Sequence, residues 1–328
     1  MSGTLRWGIL GTGWIASLFV QDLLAAGLTV TAVGSRSQDS ADAFAGRYGI
    51  ATAHPSYEAL VADPNVDAIY VSTPHPLHFA NAKLVLAGGK HVLIEKPITM
   101  DASQAAELVG LATENKLVLL EAMWTRWLPH MIRIREIIAA GLIGEVRTLI
   151  ADHDQDLPDD PAHRINNPDL GGGALLDLGI YPVSFAWDLF GEPTSVAAHA
   201  SFTATDVDRQ TAIILGYEGG QQALLHCALD TRGPNRAVIL GTGGRIEIDP
   251  VWYTATTFTA YGEDGEAFEH FDQPVVSRGM QFEAIALEDI VASGALAGTE
   301  LPPQESVAIM GTLDEVRRQI GLRYPSDR

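Results

Sequence analysis

The chain has 328 residues, 47% hydrophobic and 19% charged, with a net charge of -20 from 41 acidic against 21 basic side chains. That length exceeds one ordinary core and predicts two domains. The acidic excess argues against nucleic acid or an anionic membrane surface as partner, because both demand basic patches.

Cys227 is the single cysteine, so no internal disulfide is expected. No run reaches the roughly 18 apolar residues of a membrane helix, and the opening MSGTLRWGIL lacks the basic start and long apolar region of a secretion signal. A cytoplasmic protein is expected.

From residue 5 to about 122, short apolar runs alternate with helical patterns. LRWGILG reads as a buried strand and WIASLFVQDLLAAG as a helix stopped by Gly27. TVTAVGS is a strand, and SADAFAGRYG and SYEALVAD are short helices. DAIYVSTP, HVLIEKP and LVLLEAMW are strands, separated by the helices HFANAKLVLAGG and SQAAELVGLATENK. This alternation predicts a parallel sheet covered on both faces, a Rossmann domain over residues 1–127.

Between the first strand and first helix, GILGTGWIA places Gly11, Gly13 and Ala16 as G-x-G-x-x-A. The first glycine permits a tight turn, the second admits a pyrophosphate, and the small third residue lets helix pack on strand. The loop Gly11, Thr12, Gly13, Trp14, Ile15 and Ala16 is therefore expected to hold a dinucleotide at the positive end of the helix. About 20 residues on, where an NAD-selective site carries a carboxylate for the ribose 2′-hydroxyl, stand Ser35, Arg36 and Ser37. An arginine there binds a 2′-phosphate that a carboxylate would repel, so NADP(H) is predicted over NAD(H).

LIEKP ends a predicted parallel strand with Glu95, Lys96 and Pro97, where ligands of open α/β sheets gather. The proline keeps Lys96 out of the helical region and makes a cis peptide accessible.

After about residue 128 the pattern changes. The helix PHMIRIREIIAAG leads to VRTLIADHD, SVAAHASFTAT, QTAIILGY, QQALLHCALD, RAVILGT, GRIEID and YTATTFTAY. Turns rich in Gly and Asp join many of these runs, which predicts a mostly antiparallel open sheet in an α+β domain over 128–328. The last helix, about 304–320, is expected to pack back on the first domain.

Within LGGGALLDLGIYP, Asp177 and Tyr181 lie four residues apart on one helical face. A phenol has an ordinary pKa near 10 and donates a proton at neutral pH; an ammonium nearby favours the phenolate. Lys96 and Tyr181 are thus a reasonable proton-handling pair, with Asp177 orienting them or a substrate hydroxyl. The same stretch also suits a buried tyrosine bonded to a carbonyl, with Asp177 near a helix start.

GILGTGWIA, STPHPLH, AGGKHVLIEKP, GGGALLDLGIYP and LDEVRRQIGLRYP together resemble the glucose–fructose oxidoreductase / inositol dehydrogenase / MocA family. EAMWTRWLP and the tyrosine of LLDLGIYP look most like its dihydrodiol and NADP-dependent D-xylose dehydrogenase branch. Many members carry histidine where this chain has Tyr181. The resemblance implies Lys96, Asp177 and Tyr181 at the reaction centre, and Thr73, Pro74, His75 and His78 near the nicotinamide. Glu95 and Lys96 at the strand end count among the cofactor residues, as do Trp124 and Arg126. Trp127 and Arg164 are substrate candidates. The three glycines are expected to bring the chain close to the cofactor.

A metal role for His75 and His78 is not expected, because no carboxylate or cysteine cluster accompanies them. The expected reaction is reversible hydride transfer between nicotinamide C4 and a carbinol carbon of a sugar, such as xylose, or a cyclic trans-dihydrodiol. By the same resemblance the C-terminal sheet, and the strand YTATTFTAY in particular, is expected to form a homodimer or higher homo-oligomer. An NAD-dependent glycosidase would retain its cofactor tightly, against the predicted NADP preference and the tyrosine. A non-catalytic NADP(H)-binding regulator would have lost the lysine or proton donor, and both are present.

Overall fold

The computed structural model describes residues 5–327. Six short apolar runs form one parallel sheet: β1 (Arg6–Leu10), β2 (Thr29–Gly34), β3 (Thr52–His54), β4 (Ala68–Val71), β5 (His91–Glu95) and β6 (Leu119–Ala122). Their order is β3-β2-β1-β4-β5-β6, so the chain reverses direction across the sheet between β1 and β4. Strands buried on both faces need apolar side chains throughout, and Ile9, Leu10, Val71, Leu93 and Ile94 are fully enclosed.

The crossover helices are α1 (Trp14–Ala25), α2 (Gln38–Tyr48), α3 (Tyr57–Val61), α4 (His78–Ala87) and α5 (Ala102–Asn115). Ser37, Ser56 and Asp101 cap α2, α3 and α5 by accepting a backbone N–H each.

The second unit begins with α6 (Pro129–Ala139) and β7 (Val146–Asp154). A π-type turn, Leu175–Gly179, runs into α7 (Ile180–Phe190). Seven strands follow: β8 (Ser195–Phe202), β9 (Asp208–Gly216), β10 (Gln222–Ala228), β11 (Ala237–Gly241), β12 (Gly244–Ile248), β13 (Phe258–Gly262) and β14 (Ala267–Phe271). With β7 they make an eight-stranded sheet in the order β14-β13-β12-β11-β7-β10-β9-β8. Every pair is antiparallel except β7 with β10. α7 and the π-type turn before it cover one face, on which Leu149, Ile213, Leu215, Leu225 and Cys227 are buried.

Two departures from the sequence reading have plain causes. YTATTFTAY is a strand only from Phe258, because Trp252 and Tyr253 turn inward, with the Trp252 indole donating to the Asp152 carbonyl. The units also interleave in sequence, rather than dividing at residue 127. Among the described residues the first comprises 5–124 and 275–307, the second 125–274 and 308–327. The helix returning to the Rossmann unit is α8 (Gln281–Ser293), where Glu288 accepts the Trp7 indole N–H. From Ala308 onward α9 (Pro303–Ile320) belongs with the second unit, its Thr312 bonded to Trp187.

Candidate functional site

In the first unit, the turn after β1 has the form a dinucleotide needs. Gly11 takes a φ of +109°, and a side chain there would sit 2.8 Å from the Ser72 hydroxyl. Its N–H donates to the Gly34 carbonyl at 3.0 Å, which ties the loop to the end of β2. Gly13 precedes α1 with no side-chain cap on the helix and no acidic residue in the first turn. A Cβ at Gly13 would meet nothing within 4 Å. Open space before uncapped N–H groups at a helix start fits a phosphate. Ala16 is enclosed, Thr12 and Ile15 are half-buried, and Trp14 is 70% exposed at the head of α1.

At the end of β2, Ser35 is buried and Arg36 is exposed, with no ion pair to it among the described residues. The Ser37 hydroxyl caps α2 by accepting from Ser40 N–H. Arg36 is thus the exposed cation of this trio.

The ends of β4 and β5 are fastened together by His78. Its Nδ1 faces the Pro97 carbonyl and its Nε2 the Thr73 carbonyl, both at 2.7 Å. Burial pushes its pKa down to about 4, against the pull of these two bonds, and Lys96 adds repulsion. His78 is completely enclosed and braces the loops through these two bonds. Its neighbour His75 lies edge-on to it at 5.7 Å, and Pro74 is exposed. The Thr73 hydroxyl accepts from Asn81. Glu95 is buried, accepts the Tyr70 hydroxyl, and receives the Lys96 N–H at 3.2 Å. Lys96 itself is half-buried, and its bond to Pro97 is cis. Trp124, 7% exposed, closes the series at the end of β6.

In the second unit, Tyr181 stands in the first turn of α7, half-buried. Its ring meets His153 edge-on at 4.9 Å and Tyr253 at 5.5 Å. His153 and Tyr253 stack at 3.6 Å, with planes 22° apart. Burial raises the Tyr253 pKa above its ordinary value, partly offset by a hydrogen bond with Gln155. Asp177, 5% exposed in the π-type turn, faces Arg164 through two contacts at 3.2 and 3.4 Å. Tyr181, His153 and Tyr253 thus form a cluster of three polar rings, and Asp177, one helical turn before Tyr181, carries a guanidinium partner.

His153 and Tyr253 were not singled out from sequence. The signal for His153 was its inward place in the alternation of VRTLIADHD; for Tyr253 none existed, because it lies in an irregular loop remote in the chain.

Other residues singled out from the sequence have partners inside the second unit. Arg126, counted above with the cofactor residues, is 2% exposed and pairs with Asp188 at 3.2 Å, while donating to the Ser184 hydroxyl and carbonyl. A buried guanidinium requires such partners, and these hold it against α7. Trp127 is likewise enclosed, at 6% exposure. The glycines of LGGGALL serve the protein's own packing. A Cβ at Gly172 would stand 2.5 Å from the Ile165 carbonyl oxygen, and one at Gly173 (φ +118°) 2.2 Å from an Asp208 oxygen.

That aspartate matters for Tyr181. Asp208 is fully buried and accepts the Leu175 N–H and the Thr211 hydroxyl, both at 2.8 Å. It thereby anchors the start of the turn that leads into α7. Burial raises its pKa to about 7, from an ordinary 3.8.

Between these values the folded chain keeps a proton that the unfolded chain has lost, so this group's contribution to stability falls as pH rises from about 4 to about 7 and is flat above. Asp208→Asn should remove that slope, a difference on the order of 2–4 kcal/mol. Denaturant unfolding of both proteins at pH 5 and pH 8 reads it. Identical pH dependence in the two would refute the assignment.

Among the described residues no group of three or more His, Cys, Asp or Glu is arranged to hold a metal ion, and no helix is long and apolar enough to cross a membrane.

Comparison with known proteins agrees with this geometry. The model of the oxidoreductase family with an NAD-binding Rossmann fold matches residues 5–123, and that of the GFO/IDH/MocA C-terminal domain matches residues 131–247. The trans-1,2-dihydrobenzene-1,2-diol dehydrogenase of Mus musculus is 34% identical, with 99% of each chain covered. The D-xylose 1-dehydrogenase (NADP(+)) of Hypocrea jecorina is 37% identical over 98% of this chain and 93% of its own. A 3-ketoreductase from Actinomadura kijaniata, solved with NADP and TDP-benzene, superposes with a TM-score of 0.84 at 30% identity, covering 97% of this chain and 98% of its own. The chain therefore belongs to the GFO/IDH/MocA oxidoreductase family, and its first unit is that family's nicotinamide-nucleotide-binding Rossmann fold.

Proposed function

We propose that this enzyme is an NADP(H)-dependent dehydrogenase acting on a CH–OH group of a sugar, such as an aldose, or of a cyclic trans-dihydrodiol. The observation that carries the reading is Tyr181, a phenol framed by His153 and Tyr253, in a chain similar along its whole length to two CH–OH dehydrogenases. Bound at the Gly11–Ala16 loop, the nicotinamide nucleotide supplies or accepts the hydride.

The chain's own residues handle the proton and the geometry. As phenolate, Tyr181 takes the substrate's hydroxyl proton during oxidation, and as phenol it returns that proton during reduction. Lys96 binds the same substrate oxygen, and its ammonium stabilises negative charge developing there. Asp177, with Arg164, holds the ring hydroxyls of a polyol, for which a carboxylate accepts and a guanidinium donates. Solved forms of the Actinomadura ketoreductase include substitutions at one lysine and one tyrosine, in keeping with a lysine and a tyrosine of interest in that protein. Arg36 reads the 2′-phosphate.

A panel of aldoses, anhydrosugars and trans-dihydrodiols with NADP⁺, followed by NADPH absorbance, tests the proposal. Turnover on sugars or diols supports it. The absence of any absorbance change across the panel and in the reverse direction overturns it.

We further propose assembly as a homodimer through the second sheet. On the face opposite α7, Ile150, Leu224 and Ile214 are 46%, 39% and 51% exposed. They occupy one row, because Leu224 is in register with Ile150 on β7 and with Ile214 on β9. A contiguous apolar row of this kind supports burial against a second copy. Leu224→Glu should give a monomer by sedimentation at concentrations where the parent protein is a dimer. A variant that stays dimeric would exclude this face.

A further inference from the structure

Trp14, the exposed residue after Gly13, has a neighbour that no motif announced. The turn before α8 is fastened to α1 by one carboxylate. Asp22 is 1% exposed and accepts the Ser277 hydroxyl and the backbone N–H groups of Arg278, Gly279 and Met280, the last three at 3.2, 3.0 and 2.9 Å. Ser277 takes a φ of +61° and Gly279 one of +107°. A serine in the left-handed region is disfavoured, and here four hydrogen bonds to Asp22 hold it there.

The consequence is the placement of Arg278. Its side chain is exposed, with the guanidinium 6.0 Å from the Trp14 ring centroid and 5.7 Å from that of Trp124. No carboxylate pairs with it in any ion pair found among the described residues. Aromatic contact leaves the N–H donors of a guanidinium available to a further partner. A cation of this kind, in a chain of net charge -20, stands at the rim of the loop that begins α1.

We propose that Arg278 is a second anchor for the cofactor's pyrophosphate, adding a charge-assisted contact to the backbone N–H groups of the Gly13–Trp14 turn. This rests on the dinucleotide-binding assignment of that loop. The pyrophosphate is the fitting target because Arg278 is at the helix-start end of the loop, whereas Arg36 at the end of β2 stands where a 2′-phosphate is read. Rigid attachment to α1 through Asp22 means little conformational freedom is lost when the ligand arrives.

The experiment is equilibrium titration of NADPH and NADH, read by nicotinamide fluorescence, on the parent protein, Arg278→Ala and Arg278→Lys over a series of salt concentrations. Arg278→Ala should weaken both dinucleotides by about tenfold or more, leave their ratio unchanged, and flatten the salt dependence. Arg278→Lys should restore part of the affinity. Parent-like affinity and salt dependence in Arg278→Ala overturn the proposal, and so does a loss confined to NADPH. A parent protein that binds neither dinucleotide overturns the cofactor assignment itself, a result distinct from either of these.

Discussion

Replacing Tyr181 with phenylalanine should lower kcat by about a hundredfold or more, while NADPH affinity stays within about twofold of the parent value. The substitution removes one hydroxyl and keeps the ring, so the packing against His153 and Tyr253 at 4.9 and 5.5 Å survives. In the proposed mechanism what is lost is the group that moves the proton as the hydride transfers. Lys96→Ala should produce a loss of the same order, because the proposed mechanism gives this ammonium the charge developing on the substrate oxygen. Steady-state kinetics on the best substrate, with cofactor binding measured separately, distinguishes a catalytic defect from a binding one. A Tyr181→Phe enzyme turning over near the parent rate would remove the phenol from the mechanism.

Changing Arg36 to aspartate should reverse the cofactor preference. Affinity for NADPH is expected to fall by about a hundredfold, since a charge-assisted contact with the 2′-phosphate becomes a repulsion. NADH binding should hold or improve, because the new carboxylate accepts from the ribose 2′-hydroxyl. The packing around the position is indifferent to the change. Arg36 is exposed, and the cap of α2 comes from Ser37. The ratio of kcat/KM for the two cofactors measures the outcome. An unchanged ratio would show that another group reads the phosphate.

The Rossmann unit was legible because its signals are local. Each strand is a short buried run whose two faces both demand apolar residues, and Gly11 and Gly13 sit at a turn where the first glycine is sterically required and the second leaves space. Caps such as Asp101 before α5 act within three residues. The antiparallel sheet was legible for the same reason, through alternation and turn chemistry. The chain was less readable where the outcome depended on distant partners. YTATTFTAY has strand-like alternation throughout, yet its first half turns away because Trp252 finds the Asp152 carbonyl. Arg126 lies beside a strand end, as a ligand-binding residue would, but Asp188 and Ser184 on α7 claim it.

The amino-acid order by itself determined the two-part architecture, the dinucleotide loop and the arginine in place of an acidic ribose reader, while the candidate trio Lys96, Asp177 and Tyr181 rested on the family resemblance. The former are properties of spacing and residue type within a few turns of chain. Only the tertiary structure decided that His153 and Tyr253 frame the phenol, that Asp208 anchors the turn leading to it, and that residues 275–307 return to the first unit carrying Arg278. Those contacts join segments tens to hundreds of residues apart. Burial, cavity shape and the satisfaction of polar groups select them, and none of these is defined until the chain has folded.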